Sequence, residues 1–271
     1  MAAPDFRPMS VGQIFDRTFS LYKQNLVRFI TIVSVVTVPV WIVQICGAYV
    51  LQRGFGASGG GAMSVALMAL SLFGVLVGVL AQNLANAALI RSVSESYLGH
   101  EVTVGEAYRS VLPKLVTVVA AGILVGIVVM FGIVLLVVPG IIFALWFSLT
   151  TPAILIENLG ATGGMGRSRR LVSGNLGKVF GVSFIALIIA VIIGYLFSFL
   201  GTFIASRLGG LTEPGPVVVN QLFSLAGQIA ATPIAATATI LLYYDLRIRK
   251  EGFDLEMLAQ RLGSRESVSD A

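Results

Sequence analysis

The side chains capable of acid–base, metal or nucleophilic chemistry are few and scattered. His100 is the only histidine and is followed by Glu101. An imidazole beside a carboxylate is the beginning of a general base or a metal-ligand pair, but no second histidine or acidic cluster completes it. A solvated loop residue is the plainer expectation. Cys46 is the only cysteine, so neither an intramolecular disulfide nor a thiol metal cluster forms within one chain. It is read as a small apolar residue facing lipid or a neighbouring helix. Ser71 and Ser183 lie in apolar runs with no histidine to activate them. There is no HExxH, no Walker lysine loop and no pair of acids inside an apolar run. The residues therefore predict no enzyme: no catalytic group, no metal site and no cofactor.

What remains is a set of amides and hydroxyls embedded in apolar sequence. Gln82, Asn83 and Asn86 lie in one run; Asn220, Gln221, Gln228, Thr232, Thr237 and Thr239 lie in another. Polar groups at membrane depth face protein or water. Two readings stay open. In one, the amides, chiefly Gln82, Asn83, Asn86 and Gln228, hydrogen-bond one helix to the other, with Ala81, Ala85, Ala88, Ala226, Gly227, Ala230 and Ala231 letting the backbones approach. In the other they line a polar cavity. Gly74 and Gly78, like Gly122 and Gly126, have the small-xxx-small spacing of helix packing.

The elements that hold these groups follow from composition. With 56% hydrophobic and 11% charged residues and a mean hydropathy of +0.93, the chain is far from the roughly one-quarter charged content of a soluble domain. Runs free of Asp, Glu, Lys, Arg and His exceed the roughly 20 residues that cross a hydrocarbon core. They predict an all-α membrane protein of about six spans, near 29–51, 63–90, 115–138, 141–156, 179–205 and 217–244. The first run follows 28 more polar residues, and no signal peptide is expected. Pro139-Gly140 is the expected turn between spans three and four. Span four, at 16 residues, reaches only about 24 Å, so a re-entrant hairpin stays open beside two full crossings.

Of the 18 basic residues, 16 fall in the amino terminus, the second and fourth connections and the carboxyl terminus; only Arg53 and Arg207 lie in the opposite set. Basic residues flanking spans are retained on the cytoplasmic side. Both termini are therefore expected inside, in a bacterial cytoplasmic membrane, with residues 245–271 forming a tail. Just before it Tyr243 and Tyr244 mark the interface; within it Leu255, Leu258 and Leu262 form a short stripe, and residues 264–271 are expected to be disordered.

Each cytoplasmic segment before an odd-numbered span has the pattern of an amphipathic helix, near 10–28, 103–114 and 163–178. Ser10-x-x-Gln13 and Thr103-x-x-Glu106 are capping boxes. On a helical wheel Val11, Ile14, Phe15, Phe19, Leu21 and Tyr22 share one face, opposite Gln13, Arg17, Lys23 and Gln24. Such a helix lies flat in the headgroup region. The third copy matches the first at an offset of 150 residues: Arg167, Leu171, Asn175, Leu176 and Lys178 stand for Arg17, Leu21, Asn25, Leu26 and Arg28. Its cap is degenerate, with Met165 three residues after Thr162. The chain thus predicts three repeats of an interfacial helix and a transmembrane hairpin. Candidate contacts to anionic headgroups are Arg17, Lys23, Arg28, Arg167, Arg169, Arg170 and Lys178.

Four stretches, VGQIFDRTFSLYKQNLVRF, VVPGIIFALWFSLTTPAILIENLG, RSRRLVSGNLGKVFG and LLYYDLRIRKEGFDLE, resemble the bacterial glycerophosphoryl diester phosphodiesterase membrane-domain family. The resemblance covers nearly the whole chain. It implies a helical membrane protein of unsettled function. In fused members the phosphodiesterase domain uses two histidines with acidic metal ligands; with His100 alone, that activity does not carry over.

Function is accordingly expected in one of two classes. The first is a non-enzymatic component that interacts with membrane lipids, anionic ones in particular, or organises partners. The second is a transporter or lipid translocase with an amide-lined path between spans two and six. A protein partner or a homo-oligomer fits either; nucleic acid fits neither.

Overall fold

The computed structural model describes residues 8–57, 61–207 and 215–252. Every regular element among them is helical. In order they are α1 (Val11–Gln24), α2 (Leu26–Ala57), α3 (Gly61–Leu98), α4 (Val104–Val111), a 3-10 turn (Leu112–Lys114), α5 (Leu115–Leu135), α6 (Val137–Phe147), α7 (Thr150–Glu157), α8 (Ala161–Val172), α9 (Leu176–Arg207) and α10 (Gly215–Glu251). Among the described residues six stretches are long and apolar enough to cross a membrane: Leu26–Gly47, Met68–Leu98, Val104–Leu135, Val137–Glu157, Leu176–Arg207 and Gly215–Glu251. The protein is an all-α, multi-pass membrane protein. The stripe of Leu255, Leu258 and Leu262, residues 264–271 and the side chain of Ser71 lie outside the described residues.

Both capping boxes form. The Ser10 hydroxyl accepts from the Gln13 backbone N–H while Gln13 Oε1 accepts from Ser10 N at 2.8 Å. Thr103 and Glu106 make the same reciprocal pair. Each cap satisfies donors that a helix start leaves unpaired, an effect of about 1 kcal/mol. α8 starts at Gly160 with no side-chain cap. The offset of 150 residues is visible in the backbone. α1 ends at Asn25, whose carbonyl accepts from Phe29 N at 3.0 Å, and the carbonyl of Asn175 accepts from Val179 N at 3.0 Å as α9 begins. Between α8 and α9 the chain turns through Gly174 at φ +83°.

Spans three and four reverse direction earlier than the sequence suggests. The break is Leu136, in extended backbone at φ −166°, ψ 143°, not Pro139-Gly140. Pro139 sits in the first turn of α6, where its missing N–H has no partner to lose. Gly140 serves the close approach of the two helices: a Cβ there would lie 2.8 Å from Ile133 N, and one on Gly132 would lie 2.9 Å from Gly140 Cα. Span four is therefore Val137–Glu157, 21 residues rather than 16, which at 1.5 Å per residue is about 31 Å. The shortness that motivated a re-entrant hairpin is removed. The span is instead interrupted between α6 and α7, where Ser168 of α8 accepts from Leu149 N at 3.1 Å and donates to the carbonyl of Trp146 at 2.6 Å. Freed backbone groups in a broken membrane helix need such a partner.

The core sits at one end of the bundle, the end that carries the charges. Ile14, Phe29, Ile32, Leu89, Leu149, Ile154, Leu171, Ile240, Leu241, Leu242, Tyr243 and Tyr244 are its largest fully buried side chains. The apolar face of α1 belongs to this core: Ile14, Phe15 and Leu21 are buried within it, in a helix that packs chiefly on α10. That corrects the expectation of a face lying free in the headgroup region; of the aromatic residues on it, only Phe19 stays largely outside. A second correction concerns residues 245–251, which continue α10 and do not begin a tail. Tyr243 and Tyr244 are buried within the bundle. Tyr244 hydrogen-bonds Ser94 at 2.7 Å and stacks on Tyr97. Away from this end the helices spread, and Val75, Ile127, Val134, Ile192 and Phe199 face outward.

Candidate functional site

Spreading of the spans leaves an open cavity of about 620 Å³ between α3, the α6–α7 break, α9 and α10, its wall mixing amides and hydroxyls with small apolar side chains. Gln82, Asn83 and Asn86 enter it from α3, Ser148 and Thr151 from the break, and Ser224, Gln228, Thr232 and Thr239 from α10. All four amides singled out in the sequence therefore meet in one place. Gln228 Nε2 donates to Gln82 Oε1 at 3.1 Å, joining span six to span two. The others do not bridge helices. Asn83 donates to Val79 O of its own helix, and Thr232 and Thr239 donate to Gln228 O and Ala235 O. Asn86 makes no hydrogen bond among the described residues, and its amide borders the cavity. Around this cavity one amide pair bridges helices and the other lining amides border space. Among the described residues no Asp, Glu, Lys, Arg or His borders it.

A second cavity of about 680 Å³ lies between α2, α3 and α10 and is walled mainly by apolar side chains, among them Trp41, Leu70 and Phe73. Gln82 and Gln228 belong to both linings, so their hydrogen bond stands at the boundary between polar and apolar space. Thr37, in the wall of the second cavity, has a buried hydroxyl with no partner. Close packing of α9 on α10 comes from Gly201 and Gly227: a Cβ on the first would lie 2.8 Å from Phe223 Cβ, and one on the second 3.0 Å from Phe197 Cβ. At Gly74 and Gly126, members of the two small-xxx-small pairs, a Cβ would meet nothing within 4 Å.

The seven basic candidates divide sharply. Arg167 donates through Nε to Glu157 at 2.7 Å and through its terminal nitrogens to Glu251, tying α8 to α7 and α10. The Glu251 hydrogen bond and then Glu157 hold its guanidinium pKa above the ordinary value, against the effect of burial. Lys178 is paired with Asp245 and with the carbonyl of Met9. These two are ion-paired within the protein. Arg28 lies 4.0 Å from Glu101, and Arg169 sits 4.7 Å above the Trp146 ring. Arg17, Lys23 and Arg170 are exposed. Tyr22, on α1, donates to Ala230 O one turn before Pro233, and burial raises its hydroxyl pKa.

The sequence alone did not single out Asp245 or assign a binding role to Tyr243. Tyr243 donates to Glu157, and fully buried Asp245 accepts from Met9 N at 2.7 Å and Arg249 at 3.0 Å. The signal available was the i, i+4 pairing of Asp245 with Arg249 and of Arg247 with Glu251, which marks a continuing helix. His100 is exposed, with Nδ1 3.1 Å from Glu95 Oε2. Comparison of the chain with protein-family models, with curated proteins and with solved structures finds no match.

Proposed function

We propose that this protein is a non-enzymatic, lipid-interacting component of a bacterial cytoplasmic membrane, with both termini inside, that holds a lipid headgroup in the charge-free cavity between spans two, four, five and six. The cavity is the observation that carries the reading. Amides and hydroxyls in hydrocarbon cost several kcal/mol when unpaired, yet Asn86 borders open space at membrane depth. At about 620 Å³ the space falls in the size range of ligand pockets, about 300–1,000 Å³. Exposed Arg17, Lys23 and Arg170 support an additional contact with an anionic leaflet, each such side chain contributing about 1 kcal/mol. The sixteen basic residues in one set of segments support the orientation. We further propose kinship with the membrane-domain family that the chain resembles.

The test is lipid extraction from protein purified in mild detergent. Wild type should carry tightly held lipid. The double variant Asn86→Leu with Gln228→Leu, folded by thermal unfolding, should lose most of it. Wild type with no more lipid than an unrelated membrane protein of similar size would remove the proposal.

A further inference from the structure

The polar line of the cavity continues along α10 toward the end of the bundle opposite most of the charges. Asn220, Ser224, Gln228 and Thr232 follow at four-residue intervals, with Thr239 beyond them. At 1.5 Å and 100° per residue they cover about 28 Å within an arc of about 120°, against a hydrocarbon core of about 30 Å. A third cavity, of about 520 Å³, lies at that far end between α9 and α10, with Thr202, Ser206, Asn220 and Gln221 in its wall. It shares Ser224 with the polar cavity. Asn220 Nδ2 donates to Thr202 Oγ1 at 2.7 Å and Ser224 Oγ to Asn220 Oδ1 at 3.3 Å. Hydrogen-bonding groups therefore succeed one another over nearly the whole thickness, and among the described residues no ionisable side chain borders either space.

We infer that the α10 stripe is a path by which an electrically neutral lipid headgroup crosses the bilayer, its acyl chains resting in the apolar cavity between α2, α3 and α10. The inference rests on the lipid-holding reading and adds movement and selectivity to it. Amides and hydroxyls solvate a dipole such as a zwitterionic phosphoethanolamine. A headgroup with net charge has no counter-ion along the path and keeps its large desolvation cost. The boundary at Gln82 and Gln228 suits an amphiphile, since polar and apolar space meet there. The sequence has no nucleotide-binding loop and no acid in an apolar run, so movement is downhill and equilibrates the two leaflets.

The experiment uses the full-length protein in proteoliposomes doped with acyl-labelled NBD-phosphatidylethanolamine or NBD-phosphatidylglycerol, with dithionite added outside. Wild type should expose the inner-leaflet phosphatidylethanolamine probe to bleaching, and the net-anionic probe about tenfold more slowly or worse. Ser224→Leu, which fills the junction of the two spaces, should slow the neutral probe about tenfold while still co-purifying with lipid. Asn220→Leu repeats that test one turn away, and Val134→Leu, on an outward face, should match wild type. Bound lipid without protein-dependent bleaching would overturn the path and leave the holding reading intact; absence of both would end both. Unchanged rates in Ser224→Leu and Asn220→Leu would overturn the path assignment, and equal rates for the two probes would overturn the selectivity.

Discussion

Asp245 and Lys178 form an ion pair whose carboxylate is fully buried and whose lysine is partly buried, 67 residues apart in sequence. The same carboxylate receives the backbone N–H of Met9 and the guanidinium of Arg249. Removing one partner of a buried pair leaves the other charge uncompensated, a cost of about 3–5 kcal/mol, whereas replacing both with apolar residues is often neutral. Asp245→Leu should therefore lower the unfolding midpoint strongly, and Asp245→Leu with Lys178→Met should recover much of the loss. A double variant as unstable as the single one would show that the Met9 and Arg249 bonds, not the pair, carry the stability.

Ser168 bridges the interruption in span four by bonding both Leu149 N and Trp146 O. Ser168→Ala leaves two buried backbone groups without that partner, with a cost of about 1–3 kcal/mol. Hydrogen exchange should report it first at Leu149, with faster exchange there than in α9. Unaltered protection at Leu149 would mean that the break needs no side chain to close it.

Glycine positions separate tight from loose helix contacts. Gly201→Leu and Gly140→Leu force side chains into neighbouring backbone and should cost 1–3 kcal/mol or more. Gly74→Leu and Gly126→Leu enter open space and should leave the melting temperature near wild type. Inverted ranks in a thermal-shift series would contradict the close approach of α5 to α6 and of α9 to α10.

Reporter fusions check the topology. Those ending after residues 58, 136 and 210 should read outside, and those after 100, 165 and 265 inside. An inside signal at 136 alone would convert spans three and four into a re-entrant hairpin.

Charge contacts with an anionic leaflet should come from a subset of the basic residues. Changing Arg17, Lys23 and Arg170 to Gln should weaken co-purification of phosphatidylglycerol by about fivefold per residue, the factor for about 1 kcal/mol. Arg167→Gln and Lys178→Gln should act on stability instead. Lipid retention falling equally in both sets would return Arg167 and Lys178 to the headgroup.

Helix type and number were legible because charge-free runs have one solution in a bilayer. The caps at Ser10 and Thr103 were legible because their chemistry is local. The Leu136 break was not: nothing in its residue type disfavours a helix, and Pro139 three residues on offered a stronger but misleading signal, being tolerated in a first turn. The burial of α1 was hidden for a related reason. An amphipathic face fits lipid or protein equally well by periodicity, and only the arrival of α10 decides. The amides were legible as a set, whereas the cavity around Asn86 depends on how far the helices spread, which no local pattern encodes.

The bond from Met9 N, just before α1, to Asp245 of α10 spans 236 residues. At synthesis rates of about 5–20 residues per second, α1 emerges roughly 12–47 s before the helix it packs against. During that interval its Ile14, Phe15 and Leu21 face has no permanent place and must shelter elsewhere, on the bilayer surface or on the insertion machinery. Assembly of this protein is therefore completed by the arrival of α10, and chains that stop before residue 215, lacking that helix, should be degraded rather than accumulate as a stable five-span remnant.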